Sequence, residues 1–252
     1  MVSYDVLTRT FRIKYHDSCA TAFTIEENNI QYLVTAKHVF ESAGFPITAS
    51  IELLINGQYQ TFTVFVKYPA DTRVDIAVMK THPYYEVSNK FVKYPADTRV
   101  DIAVMKTHPY YEVSNKMENN LTSADLIYGQ DVYFLGYPYQ YDSFLATFPN
   151  SCSPVPFIRK ATFSGMLKPR PSLLFLDGHN NPGFSGGPVC YRKADNELFP
   201  IAGVVSGYYS EKNFVFDEQT DTQLPLYVIE NTGTVYAADI SFALELIKNW
   251  DA

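Results

Sequence analysis

Short runs of β-branched, aromatic and aliphatic residues recur along the chain, cut by Asn, Asp, Gly and Pro. Thr10 to Tyr15, Ala20 to Ile25 and Ile30 to Ala36 have the length and composition of strands, the last two joined through Glu26-Glu27-Asn28-Asn29. Ile51 to Ile55 and Gln58 to Tyr68 flank Asn56-Gly57, a strong hairpin signal because both turn residues tolerate the positive φ that a type I′ turn demands. Val74 to Lys80 supplies a sixth strand, enough to close a first barrel. A second series begins near Asp131: Val132 to Leu135, Phe157 to Leu167, Ser172 to Leu176, Gly187 to Tyr191, Phe199 to Ser206, and Leu226 to Tyr236 with a break at Asn231 to Gly233. Ser241 to Trp250 then places Phe242, Leu244, Leu246 and Ile247 among helix-forming residues, as a short amphipathic helix would, with a cap expected from Asp239 or Ser241.

One segment interrupts this pattern. Residues 65 to 90 recur without a single change at 91 to 116. Structural repeats keep their packing positions while exposed ones drift, and stable arrays need about three units or more. Two identical copies therefore read as a duplication inside a fold that is complete with one. The polar stretch from Lys116 to Ser123 reads as the connector between two lobes, 1–116 and 117–252.

Composition supports an all-β fold and narrows its partners. Hydrophobic residues make up 46% and charged residues 19%, with 20 Tyr and 18 Phe, which suits half-buried strands and opposes disorder. A net charge of −7 gives no basic footprint, so nucleic acid is not an expected partner. No long apolar run and no leader-like start point to a membrane or to export, so a cytoplasmic location is expected. The three cysteines, Cys19, Cys152 and Cys190, have no metal-binding spacing and an odd count. Free buried thiols are expected, with no metal and no cofactor.

Three local sequences carry chemistry. Leu33-Val34-Thr35-Ala36-Lys37-His38-Val39 sets a histidine just past a buried strand. Arg73-Val74-Asp75-Ile76-Ala77-Val78 sets an acid at the head of another, and Gly183-Phe184-Ser185-Gly186-Gly187-Pro188-Val189 sets a serine in a glycine-rich turn. In this order, His then Asp then Ser, they resemble the trypsin-like, or chymotrypsin-type, serine peptidases. The serine segment also fits the Gly-x-Ser-x-Gly elbow of α/β-hydrolases, whose histidine follows the serine; here no histidine follows His179, so that triad has no base. A cysteine nucleophile lacks support, because Cys19 has no glycine turn and Cys190 lies beyond the one that carries Ser185.

The resemblance implies an all-β fold of two six-stranded antiparallel barrels, chymotrypsin-like, with a short C-terminal helix. It implies His38 as general base, Ser185 as nucleophile and an aspartate that orients the imidazole. Asp75 and Asp101 occupy equivalent places in the two copies. Copy one keeps the upstream hairpin arm that runs into Phe65, whereas Asp101 requires copy one to be looped out, which favours Asp75 and leaves Asp101 as the alternative. The unused copy is expected as an exposed loop or an extra edge hairpin. Gly183 can take up a conformation that aims its N–H at the same point as that of Ser185, forming an oxyanion hole.

In the same family resemblance His179 corresponds to the base of the primary specificity pocket and Ser206-Gly207-Tyr208 to its wall. His179 is not the acid of trypsins, so an apolar or small side chain before the cleaved bond is expected instead of Arg or Lys. Phe184 stands where secreted members place an aspartate, and no cysteine adjoins His38. The chain is thus more similar to the HtrA-like bacterial and intracellular branch than to secreted trypsins. The expected function is hydrolysis of polypeptide substrates through an acyl-enzyme, and the alternative is a catalytically inactive binding or scaffold protein that keeps the fold.

Overall fold

The computed structural model describes residues 2–27, 30–55, 57–68, 76–81, 102–106, 121–140, 154–167, 173–193 and 199–250. A short helix α1 (Tyr4–Thr8) precedes strands β1 (Thr10–Tyr15), β2 (Ser18–Glu27), β3 (Ile30–Ala36), β4 (Thr48–Ile55), β5 (Gln58–Lys67), β6 (Ile76–Thr81) and β7 (Ile102–Lys106). A second set follows: β8 (Asp131–Gly136), β9 (Phe157–Leu167), β10 (Leu173–Asp177), β11 (Pro188–Tyr191), β12 (Ile201–Phe216) and β13 (Gln223–Asp239), closed by helix α2 (Ser241–Lys248). Each set closes into a barrel, in the order β1-β2-β3-β7-β6-β5-β4 for the first and β10-β13-β12-β11-β8-β9 for the second. This is the two-barrel, chymotrypsin-like all-β fold. The expected boundary between residues 116 and 117 lies outside the described residues.

The predicted hairpin at Asn56-Gly57 forms. Ile55 pairs with Gln58, and Gly57 has φ 73, the left-handed value the two-residue turn requires. Period-two alternation then decides what each strand buries. In β3, Leu33 faces the interior of the first barrel while Tyr32 and Val34 face a separate cluster with Leu135, Val204 and Ile240 of the second lobe. In β12, Ala202 and Val205 point into the second barrel while Ile201 and Val204 point to that shared cluster, because a register shift opposite Val189 and Cys190 breaks the two-residue period there. Strands buried on both faces read as continuous apolar runs, which is why their sequences show little polar alternation. The lobes are thus joined by a dry core.

Helix α2 packs Phe242, Ala243, Leu246 and Ile247 into the same cluster, and the Asp239 carboxylate accepts the Ser241 N–H at 2.8 Å. Lys67 on β5 donates to the Trp250 carbonyl and sits 4.6 Å from the indole centroid, tying the end of the chain to the first barrel.

The duplication takes a form unlike the expected loop or edge hairpin. β6 lies between β5 and β3, pairing Val66 with Met79 and Ala36 with Ile76. β7 runs parallel to β6 in register, from Ile76↔Ile102 to Lys80↔Lys106, and meets β3 at Tyr32↔Lys106. Identical strands carry identical propensity and patterning, so both copies of the segment form a strand. The intervening chain is long enough for the crossover that parallel pairing needs.

Two strands outrun expectation. β12 and β13 continue past the barrel as a ribbon, through Ser210↔Asn231 to Phe216↔Gln223. Phe214, Phe216, Leu226, Tyr227, Val228 and Ile229 on that ribbon are exposed. Its tip is closed by Asp217, whose carboxylate accepts from the backbone N–H groups of Gln219 and Thr220 and from the Thr220 hydroxyl and is held below the usual carboxylate range by them.

Helix α1 falls outside the sequence-level expectation because five residues make too short a window for periodicity. It leads into Arg9, which is 1% exposed and whose guanidinium nitrogens find no hydrogen-bond partner among the described residues. Burial pulls its pKa below the ordinary value, against the opposing pull of Glu26 and Asp5. A buried cation held only by distant carboxylates costs more to desolvate than it recovers. Arg9→Met is therefore expected to stabilise the fold by about 1 to 4 kcal/mol, measured as a higher midpoint of thermal or urea unfolding.

Candidate active site

β3 ends at Ala36, and the chain turns at once into a 3-10 segment, Lys37–Ala43, that carries His38. Val39 and Phe40 anchor this segment in the first barrel, and Gly44 ends it with φ 68. His38 is left half-buried, at the rim between the lobes.

Ser185 lies in the turn between β10 and β11. The residue before it, Phe184, is fully buried and packs edge-on to Phe134 at 5.1 Å inside the second barrel. An aromatic anchor thus holds this turn at the position where secreted relatives carry a charged residue. Gly183 has φ 104 and Gly186 φ 83. A Cβ on Gly186 would collide with Thr21 O and Thr35 Oγ1 and stand 2.8 Å from Ala36 N, so the turn and the strand leading to His38 touch with no room for a side chain.

Hydrogen bonds fasten the contact. Ser185 O accepts the Thr21 N–H at 2.9 Å, Thr21 Oγ1 donates to Gly183 O at 2.7 Å, and Thr35 Oγ1 donates to Thr21 O at 2.7 Å. Within the turn, Phe184 N donates to Asn181 O at 3.3 Å, Gly186 N to Val205 O at 2.7 Å and Gly187 N to Phe184 O at 2.9 Å. The N–H groups of Gly183 and Ser185, the expected oxyanion pair, have no acceptor among the described residues. Ser185 Oγ makes no hydrogen bond among them either, to His38 or any other group. Catalytic contacts of this kind commonly tighten only when substrate binds.

Asp75 and Asp101 lie outside the described residues, as do His82, His108 and Cys152. Their backbone neighbours are placed: Ile76 pairs with Ala36, two residues before His38, and Ile102 pairs with Ile76.

Of the expected pocket residues, the β12 segment adjoins the turn. Val205 is bonded to both Gly186 and Gly187, so Ser206, Gly207 and Tyr208 follow directly along β12. Ser206 is buried, and Tyr236 fills the space beside Gly207, where a Cβ would come within 2.5 Å of its hydroxyl. His179 is exposed. Its neighbours Asn180 and Asn181 are buried, and Asn180 O accepts from Asn231 Nδ2 at 2.7 Å. The Asn181 amide bridges Arg159 at 2.9 Å and the Tyr139 hydroxyl at 3.0 Å, fixing the segment that leads to the nucleophile turn. These asparagines and Thr21 escaped sequence reasoning, since a buried polar residue that serves another segment leaves no periodic or motif signal.

Cys190 is fully buried, and desolvation pushes its thiol up to about 12. Cys19, expected to be buried, is half-exposed on β2 near the first hairpin, because Ser18 and Cys19 lie at the strand's turn end. Among the described residues no cluster of His, Cys, Asp and Glu could hold a metal ion.

With this geometry in place, comparison with known proteins assigns the class. The model of the trypsin-like peptidase domain matches residues 20–199, well over half of the chain, and the chain belongs to that family. No curated protein matches it by sequence. Among solved structures it is similar to the Rv3671c protease of M. tuberculosis in an inactive form, with TM-score 0.53 and 15% identity over 97% of this chain and 90% of that one. It is also similar to the HtrA-type protease AlgW with a tripeptide, TM-score 0.50 and 14% identity, covering 97% of this chain and 60% of that one. A serine endoprotease from Yersinia pestis gives TM-score 0.51 and 14% identity, over 98% and 66%. At this identity the likeness is one of fold, and the HtrA-type neighbours agree with the branch that the motifs resemble.

Two outcomes follow from the geometry. Gly186→Ala is expected to cost about 2 to 6 kcal/mol, from backbone strain together with overpacking, read from urea unfolding. Under native conditions iodoacetamide is expected to modify Cys19 at least about 100-fold faster than Cys190, followed by peptide mass spectrometry.

Proposed function

We propose that this protein is a serine endopeptidase acting through His38, Asp75 and Ser185. The observation that carries the reading is the seam just described: the Ser185 turn abuts Thr35-Ala36, the strand end from which His38 follows. In this reading His38 accepts the proton of Ser185 Oγ as the oxygen attacks the substrate carbonyl. The tetrahedral oxyanion is received by the Gly183 and Ser185 N–H groups, a pair left without acceptors among the described residues while the N–H groups around them are bonded. Collapse breaks the peptide C–N bond, His38 passes its proton to the departing amine, and an acyl-enzyme remains. Water, deprotonated by the same imidazole, then releases the second product and restores Ser185.

Asp75 serves to fix the imidazole tautomer and to stabilise its positive charge. The support for Asp75 over Asp101 is register: Ile76 pairs with Ala36 and β6 is paired along β3 from Leu33 to Ala36, whereas copy two is in register with β3 at one pair, Tyr32↔Lys106. His179, Ser206, Gly207 and Tyr208 are proposed to receive the side chain before the scissile bond. The uncharged wall favours small or apolar groups.

A fluorophosphonate probe is expected to label the protein at Ser185, and Ser185→Ala to abolish the label. No labelling of the folded wild type, or labelling at a residue other than Ser185, would favour an inactive scaffold. Asp75→Asn is expected to lower kcat by about 10⁴-fold, with Asp101→Asn close to wild type, measured on a peptide substrate selected from a cleavage library.

A further inference from the structure

Thr21 lies on β2, in the lobe opposite the nucleophile turn, and is fully buried. Every polar group it has is used, and two of its bonds reach backbone carbonyls of the nucleophile turn. Its N–H donates to Ser185 O at 2.9 Å and its hydroxyl donates to Gly183 O at 2.7 Å. The same hydroxyl accepts the Tyr137 N–H at 3.1 Å, and its carbonyl accepts from Thr35 Oγ1 at 2.7 Å.

These bonds define the direction of the two peptide units around Gly183. Pro182 O accepts the Tyr139 N–H at 3.2 Å, which turns the Gly183 N–H to the opposite side. Gly183 O is held by the Thr21 hydroxyl, which fixes the next unit. At φ 104 Gly183 has no Cβ to restrict it, so its orientation depends on what holds the flanking carbonyls. Tyr137, which bonds to the same hydroxyl, begins the Tyr137-Pro138-Tyr139 segment that carries the second clamp.

We infer that the Thr21 side chain is a positioning residue for the oxyanion hole: its hydroxyl locks the Gly183 peptide from across the lobe boundary and registers it against the strand that leads to His38. This rests on the serine-peptidase reading. It predicts a specific loss when the hydroxyl alone is removed. Thr21→Val keeps the shape and the N–H to Ser185 O while leaving Gly183 O and the Tyr137 N–H unpaired.

The test compares wild type, Thr21→Val and Thr21→Ser in three measurements: fluorophosphonate labelling rate, kcat and KM on one peptide substrate, and affinity for a peptide boronate, whose adduct places an oxygen where the oxyanion forms. Thr21→Val is expected to lower labelling and kcat about 10- to 100-fold and to weaken the boronate comparably, with KM within about twofold, because the interaction acts on developing charge. Thr21→Ser is expected to restore all three to within about threefold. If Thr21→Val does not fold, as judged by thermal unfolding, Thr21→Ala, which leaves room for a water, replaces it with the same expectation. Equal kcat and boronate affinity in the Val or Ala variant, or a Ser variant as impaired as they are, overturns the positioning role while leaving the peptidase reading in place. A wild type that does not label at Ser185 overturns both.

Discussion

The backbone of Thr21 meets the Ser185 turn as one strand meets another, N–H to C=O, although the two belong to separately closed barrels. Because Thr21 is buried and Ser185 half-buried, breaking this seam would leave polar groups with little water to replace them. The cost of separation therefore fixes the relative placement of the lobes more sharply than the apolar cluster around Val34, Leu135, Val204 and Ile240 could, since hydrophobic contact is indifferent to small slides. The proposed chemistry depends on that sharpness: an imidazole from one lobe and a hydroxyl from the other have to meet within hydrogen-bond reach.

The nucleophile turn is held by three unlike devices. Phe184 plugs it into the second barrel, the close approach at Gly186 presses it against the first, and the Thr21 and Tyr139 bonds orient its peptides. Among the described residues, the Gly183 and Ser185 N–H groups are left without an acceptor while those of Phe184, Gly186 and Gly187 are bonded. In the proposed reading these two donors receive the oxyanion without reorganising at the moment of reaction. The wall along Ser206-Gly207-Tyr208 is then placed by the Val205 bonds to the same turn.

The duplicated segment shows how local information can be insufficient. Both copies carry the same Ile-Ala-Val-Met-Lys strand, and both form it. Only the flanking chain distinguishes them: the β4–β5 hairpin delivers copy one directly between β5 and β3, and copy two settles alongside in parallel.

Much of this protein was legible from residues alone. The barrels followed from short apolar runs and turn residues, the Asn56-Gly57 hairpin from its two φ-tolerant residues, and the candidate histidine and serine from their local motifs, because each of these is set by interactions among neighbours in sequence. The long β12–β13 ribbon, the parallel β7, helix α1 and the half-exposed Cys19 were not, since pairing partners and burial are decided by segments far apart in the chain. Thr21 is the clearest case. Nothing in Ala20-Thr21-Ala22 marks it out, and its role exists only because tertiary folding brings Gly183, 162 positions away, within 2.7 Å of its hydroxyl. Sequence determined which groups could do chemistry; the packing of one barrel on the other decided which of them meet, because hydrogen bonds act over ångströms in space and take no account of distance along the chain.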